Sequence, residues 1–265
     1  METIRLDELT ARRFGVTHEE AVGLIMAGRV TVGGVPADKP GEPVAGDAVL
    51  CLKDKTRKYA SRSGYKLEKA LSVFGIDPSG CTVCDIGASN GGFTDCLLQH
   101  GAARVYAVDV AYGILAWELR QDERVTVLER TNARHLTADQ LGARCELVTA
   151  DVSFISLKKI FPAIDRVLND DGRCLCLIKP QFEASPRQVG KNGVLRDPDD
   201  LPPLLLSLIQ CASANRLYLS GLTVSPIHGT NGNVEYLARF DRTPSLDEEE
   251  WETLISRALS EEPAL

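Results

Sequence analysis

The residues of this 265-residue chain best suited to chemistry begin with a turn, Asp85-Ile86-Gly87-Ala88-Ser89-Asn90-Gly91-Gly92-Phe93-Thr94, that follows an apolar run. Glycines at 87, 91 and 92 let a backbone pass close to a bound group and bend sharply into a helix. The spacing is G-x-x-x-G-G rather than the G-x-G-x-x-G of dinucleotide binders, which argues against a nicotinamide cofactor. Asp85 stands just ahead of the turn, where an acid suits an ammonium group. Asp109 lies about 20 residues beyond it, where a carboxylate can accept both hydrogen bonds of a ribose diol. An ammonium and a ribose diol together describe S-adenosylmethionine. The expected contacts are Asp85, Gly87, Ser89, Asn90, Gly91, Gly92, Phe93, Asp109 and, from a later strand end, Asp151.

Four further charges sit where a buried sheet would not choose them for packing. Asp151 ends the run CELVTAD, and Lys179 follows apolar and thiol residues in CLIKPQFE. Glu235 lies in GNVEYL, and Lys66 precedes the first strand in SRSGYKLEKAL. One such charge alone fits a strand end with a salt bridge. Charges of both signs around one edge fit proton handling and positioning.

These residues need elements to hold them. From residue 81 strand-like runs alternate with helical ones: 81–87, 104–110, 124–130, 145–152, 172–179, 217–224 and 233–240 read as strands. GGFTDCLLQHG, AYGILAWELRQ, LKKIFPAIDRVL and DLPPLLLSLIQCASA read as helices between them. Such alternation specifies an α/β fold, a doubly wound, Rossmann-like sheet with helices on both faces. Ligands bind such sheets beyond the carboxyl ends of the strands, where the residues above fall.

Ahead of it, residues 5–29 read as two helices. Leu6, Leu9 and Phe14 form one stripe, Thr17 and Glu20 make a capping box, and Gly28 stops the second helix. Val30 and Val32, a Gly33-Gly34 turn and proline-broken strand pieces follow, giving a small α+β unit. Charge divides in the same way. Residues 1–66 hold 11 Lys and Arg against 9 Asp and Glu, while the rest hold 19 against 28. Lys53, Lys55, Arg57, Lys58, Arg62 and Lys66 crowd into one basic stretch, which suits a phosphate backbone.

RLDEL, EEAVGLIMAGRVTVGG and DKPGEPV resemble an S4 RNA-binding domain. That resemblance implies that Arg5, Arg12, Arg13, Arg29 and Lys39 face RNA phosphates, with Lys53, Lys55, Arg57, Lys58 and Arg62 continuing the surface. KYASRSGYKLEKAL, DIGASNGGFTD, YAVDVAYG, ERTNAR, TADVSFISL, IKPQFE…VGKNGVLRDP and SPIHGTNGNVEYL, in order, resemble the hemolysin A (TlyA) family of rRNA 2′-O-methyltransferases. These pair an S4 domain with an FtsJ-like, class I methyltransferase domain. The resemblance implies a mostly parallel seven-stranded sheet and S-adenosylmethionine as methyl donor. It also implies a Lys66-Asp151-Lys179-Glu235 tetrad, Asn132 at the cofactor, and a ribose 2′-hydroxyl of ribosomal RNA, a cytidine, as substrate. Lys179 would contact the hydroxyl, Asp151 would orient Lys179, and Glu235 would hold Lys66. His228 departs from the pattern, which has lysine there. The expected layout is an S4-like domain at 1–50, a basic linker at 51–62, the methyltransferase domain at 63–245 and an acidic helical tail at 246–265.

Other readings meet obstacles. No apolar run approaches the ~20 residues of a membrane span, and METIRLDELTARR has charges where a signal peptide is apolar. A cytoplasmic enzyme is therefore expected rather than a secreted or pore-forming lysin. Cys81, Cys84, Cys174 and Cys176 lie in apolar runs and read as buried small hydrophobes, with no second pair at ligand spacing to suggest metal. An RNA-binding protein with a degenerate catalytic fold would not need all four tetrad charges. A methyltransferase acting on a base or a small molecule is the closer rival. Base-nitrogen enzymes often carry a polar-Pro-Pro-aromatic tetrapeptide at the fourth strand's end, and here the chain reads Asp151-Val152-Ser153-Phe154.

Overall fold

The computed structural model describes residues 3–53, 58–229 and 232–263. The first unit contains β1 (Thr3–Arg5), α1 (Leu6–Phe14), α2 (His18–Met26), β2 (Val30–Val32), β3 (Val35–Pro36), β4 (Pro43–Ala45) and β5 (Leu50–Leu52). Thr17 caps α2 as the sequence predicts: its hydroxyl accepts from Glu20 N, and Thr17 N donates to the Glu20 carboxylate at 2.7 Å. β1 pairs with β4, and β3-β2-β5 form a second small antiparallel sheet. Leu6, Ile25, Val30, Ala37, Val44 and Leu50 close the core, with Leu9 and Phe14 packed against it.

The second unit contains α3 (Ser63–Phe74), β6 (Thr82–Ile86), α4 (Gly92–Gln99), β7 (Arg104–Val108), α5 (Trp117–Arg120), β8 (Val125–Leu128), α6 (Ala138–Leu141) and β9 (Cys145–Ala150). It continues with α7 (Phe161–Val167), β10 (Leu168–Ile178), α8 (Pro180–Glu183), α9 (Leu201–Ser213), β11 (Tyr218–Val224), β12 (Tyr236–Asp241) and α10 (Glu248–Ser260). Every strand expected from the apolar runs is present. They form one seven-stranded sheet in the order β11-β12-β10-β9-β6-β7-β8, parallel except for β12. Successive strand residues face opposite sides. Val83, Leu175 and Leu177 therefore pack under α3 and α4, while Cys84, Cys174 and Cys176 pack under α7 and α9. Burial pushes the Cys84 and Cys174 thiols well up, as for inert core cysteines. Cys81, expected in the core, stands half-buried at the strand's entrance.

Three expectations need adjusting. AYGILAWELRQ is helical only over α5, because Asn90 holds the backbone of residues 114–116 in an open loop. Within the expected linker at 51–62, Cys51 and Leu52 belong to β5, which pairs with β2, and Ala60 N donates to Asp95 Oδ2 at 2.8 Å. The acidic helix α10 is no separate tail, because its apolar stripe of Trp251, Ile255 and Ala258 joins the core beneath the sheet. Among the described residues no helix is long and apolar enough to cross a membrane.

Candidate active site

The turn after β6 is shaped by what it must avoid. Gly87 has φ +84°, and a Cβ there would overlap the Asp151 carbonyl oxygen. Gly91 has φ +94° and packs under Leu115 and Leu119. Ser89 and Asn90 are left exposed at the crest, and α4 starts directly behind them. Asp109 is half-buried, and its two oxygens accept from Ser89 N and Ala111 N, each at 2.8 Å. A carboxylate oxygen has a second lone pair, so both remain able to accept from a diol. Asn132 is exposed on the neighbouring loop, where its side chain caps the short helical turn Ala133–His135. Thr131 N donates to Asp109 O at 2.9 Å and ties that loop to the same edge.

Two of the expected cofactor contacts, Asp85 and Phe93, are buried. Asp85 is fully buried, and its oxygens accept from the Thr94 and Thr149 hydroxyls at 2.7 and 2.8 Å. Burial pushes its carboxyl up to about 6 despite those hydroxyls. It fastens the glycine turn to α4 and β9. Phe93 packs in the core beneath α4. Ser89, Asn90, Asp109 and the open backbone at Gly87 still fit a cofactor carrying a ribose diol.

The four separated charges meet at one edge of the sheet. Lys179 follows β10 and Asp151 follows β9, its parallel neighbour, so their side chains converge with Nζ 2.6 Å from Oδ1. That contact is one of charge, since the aligned hydrogen bond of Lys179 goes to Ser153 Oγ at 2.9 Å. Lys66 reaches over from α3 to place Nζ 2.5 Å from Glu235 Oε2, with both side chains buried. Gly229 makes the space for Glu235, because a Cβ at 229 would overlap its carboxylate. The chain thus carries two lysine–carboxylate pairs side by side, beyond the same strand ends as the glycine turn.

Several supporting residues escaped the sequence reading. Ser153 receives Lys179. Glu183, four residues after Lys179 on α8, accepts from Ser156 Oγ at 2.5 Å and Leu157 N at 2.7 Å, so it clasps the loop that carries Ser153. Burial raises its carboxyl. The only available signal was the Lys-x-x-x-Glu spacing, which does not announce a partner 27 residues back. Phe154 is exposed in the left-handed region at φ +61°, with its ring 5.1 Å from that of Phe182.

The basic candidates separate by environment. Arg12, Arg13, Lys39, Lys53 and Arg62 are exposed. Arg5 is tied to buried Asp7 at 2.6 Å, and Lys58 is paired with Glu68. Arg29 is half-buried and reaches toward the second unit, 3.5 Å from Glu118. Lys55 and Arg57 lie outside the described residues. His228 is exposed beside Gly229.

The sequence profile of the FtsJ-like methyltransferases matches residues 59–242, and that of the S4 domain matches residues 4–50. The chain is 42% identical to the 16S/23S rRNA (cytidine-2′-O)-methyltransferase TlyA of Mycobacterium tuberculosis over 97% of each chain. It is 47% identical to a candidate rRNA methyltransferase, YqxC, of Bacillus subtilis over 88% of this chain and 84% of that one. A solved candidate hemolysin from Streptococcus thermophilus superposes with a TM-score of 0.72 at 40% identity, covering 97% of this chain and 96% of that one. With this profile match, these relatives and the fold in agreement, the chain belongs to the TlyA (hemolysin A) family of FtsJ-like methyltransferases that carry an N-terminal S4 domain.

Proposed function

We propose that this protein is a cytoplasmic enzyme that methylates a ribose 2′-hydroxyl of ribosomal RNA, at a cytidine, with S-adenosylmethionine as donor. The observation that carries the reading is the meeting of Lys66–Glu235 and Lys179–Asp151 beyond the strand ends that also bear the glycine turn and Asp109. The names of the relatives support the substrate, and an S4 domain of residues 4–50 supports an RNA partner. The cofactor, held by Ser89, Asn90, Asp109 and the backbone at Gly87, would supply a methyl group already activated on a sulfonium.

The protein's share is then position and proton removal. Lys179 is held from two sides, by Asp151 and Ser153, so its Nζ has one place to meet O2′. As the O2′–methyl bond forms, Lys179 Nζ gives one proton to the Asp151 carboxylate and takes the hydroxyl proton in its place, so the proton ends on Asp151. Lys66, fixed by Glu235, adds a second cation beside the reacting oxygen and opposes any drift of the ribose. The exposed arginines and lysines of the first unit contact phosphates, which sets affinity and register rather than base choice. A stacked ribose is poorly open to in-line attack, so the target nucleotide is turned out of its helix.

The test is incubation with methyl-labelled S-adenosylmethionine and undermethylated ribosomal subunits, beside a Lys179→Ala variant. Label in alkali-resistant dinucleotides, absent from the variant, is the expected result. Label in bases, or none with any RNA despite cofactor binding, would move the reading to another acceptor.

A further inference from the structure

The two units meet at a seat that neither sequence motif explains. Gly23, buried on α2, lies directly against the Trp117 indole, and a Cβ at Gly23 would overlap ring atoms Cδ1 and Cγ. A glycine inside a helix weakens it, and here its bareness admits an aromatic ring at van der Waals distance. Arg29 and Glu118 flank the seat 3.5 Å apart. A groove of about 840 Å³ runs beside it, lined by Met26, Arg29, Lys53 and Tyr112 among others.

The Trp117 side of the contact is anchored on the glycine turn. Asn90 Nδ2 donates to Ile114 O at 3.2 Å, and Ala116 N donates to Asn90 O at 3.3 Å. Leu115 and Leu119 fill the space that a side chain at Gly91 would need. A continuous line of packed residues therefore runs from α2 of the RNA-binding unit to the edge of the reaction centre. Two units joined by a tether alone would meet RNA at many relative orientations, and only a fraction would bring a ribose to Lys179.

We propose that Trp117 and Gly23 are positioning residues: their contact fixes the phosphate-facing surface of the S4 domain relative to the Lys66–Glu235 and Lys179–Asp151 pairs, so that docked RNA presents one ribose to Lys179. The inference rests on the function proposed above. It assigns the distance between docking and chemistry to a side-chain seat rather than to the chain segment between the units.

The experiment compares Gly23→Val, Trp117→Ala and Trp117→Phe with wild type in methyl transfer to undermethylated subunits. Trp117 emission is read in a Trp251→Phe background, which leaves one tryptophan. Gly23→Val is expected to shift Trp117 emission to the red and to lower kcat by about tenfold or more, as a misplacement near 1 Å can. S-adenosylmethionine affinity, measured in parallel, should fall less than kcat, because Gly23 meets Trp117 rather than the turn itself. Trp117→Phe, which keeps a ring in the seat, should retain most of the activity that Trp117→Ala loses. If wild type transfers no methyl to any RNA, the proposed function falls and this inference with it. If wild type is active and Gly23→Val matches it, or Trp117 already emits as an exposed indole, only the seat is overturned. Should Gly23→Val fail to fold, equal activity of Trp117→Phe and Trp117→Ala would overturn it instead.

Discussion

Lys179 and Glu235 each stand one residue beyond the Ile178–Tyr236 pair that ends the antiparallel ladder of β10 and β12, yet neither pairs with the other. Lys179 instead takes Asp151 from β9 and Glu235 takes Lys66 from α3. Each lysine keeps its own carboxylate, so the site holds two cations at close quarters without a net charge.

The two pairs differ in burial, and their variants should differ accordingly. Lys179→Ala removes the group that meets the hydroxyl and is expected to lower kcat by about 100-fold or more, the range for a lost proton-handling group. Its melting temperature should fall by less than in the Lys66 variants, because Asp151 loses its cation at a less buried site. Turnover near wild type in Lys179→Ala, with Lys66→Ala inactive, would reverse the roles assigned to the lysines.

Breaking the buried pair strands a charge. Lys66→Met or Glu235→Met alone should cost about 3–5 kcal/mol of stability, because the partner is left uncompensated. The double variant Lys66→Met/Glu235→Met should lose less than the two singles together. A urea-denaturation cycle measures the difference, and simple additivity would show that the pair is not coupled.

Asp85 makes a pH-dependent prediction. Its folded carboxyl titrates at about 6 against an ordinary 3.8, so the folded state holds the proton more tightly than the unfolded chain. The contribution of this group is fully present below 3.8 and is lost as pH rises through 6. Asp85→Asn lacks that loss, so its stability relative to wild type should climb by about 3 kcal/mol between roughly pH 4 and pH 7. Parallel curves for the two proteins across that window would contradict the buried, raised acid.

The clasp at Glu183 acts on the loop rather than on the substrate. Glu183→Ala frees Ser156 and Leu157, so the Ser153 end of the loop should loosen its hold on Lys179. The expected outcome is a fall in kcat of about tenfold, with S-adenosylmethionine affinity unchanged. Glu183→Gln, which can still accept one of the two bonds, should recover part of the rate.

Salt reports on the basic surface. Arg12→Ala and Arg13→Ala should each lower the slope of log K against log salt by about 1 if each meets a phosphate. Arg29→Ala should leave the slope unchanged, because that side chain faces Glu118. A binding titration at several salt concentrations separates the three.

Much of this protein was settled by local sequence. Short apolar runs alternating with helical stretches marked all seven strands, because a strand covered on both faces must be apolar nearly throughout. The Thr17–Glu20 box and Gly28 set the bounds of α2, since caps are satisfied within a few residues. The order of motifs marked Lys66, Asp151, Lys179 and Glu235 as a set. Which lysine takes which carboxylate, however, was decided by the sheet order β12-β10-β9 and by α3 crossing above it. Burial also lay outside the sequence's reach. Asp85 and Asp109 look alike as acids beside a glycine turn, but only Asp85 has Thr149 and Thr94 closing over it. Trp117 and Gly23 are 94 positions apart (117 − 23), and nothing in either segment signals the other. Contacts of that kind depend on how two folded units pack, and packing is a property of three-dimensional shape that no local pattern encodes.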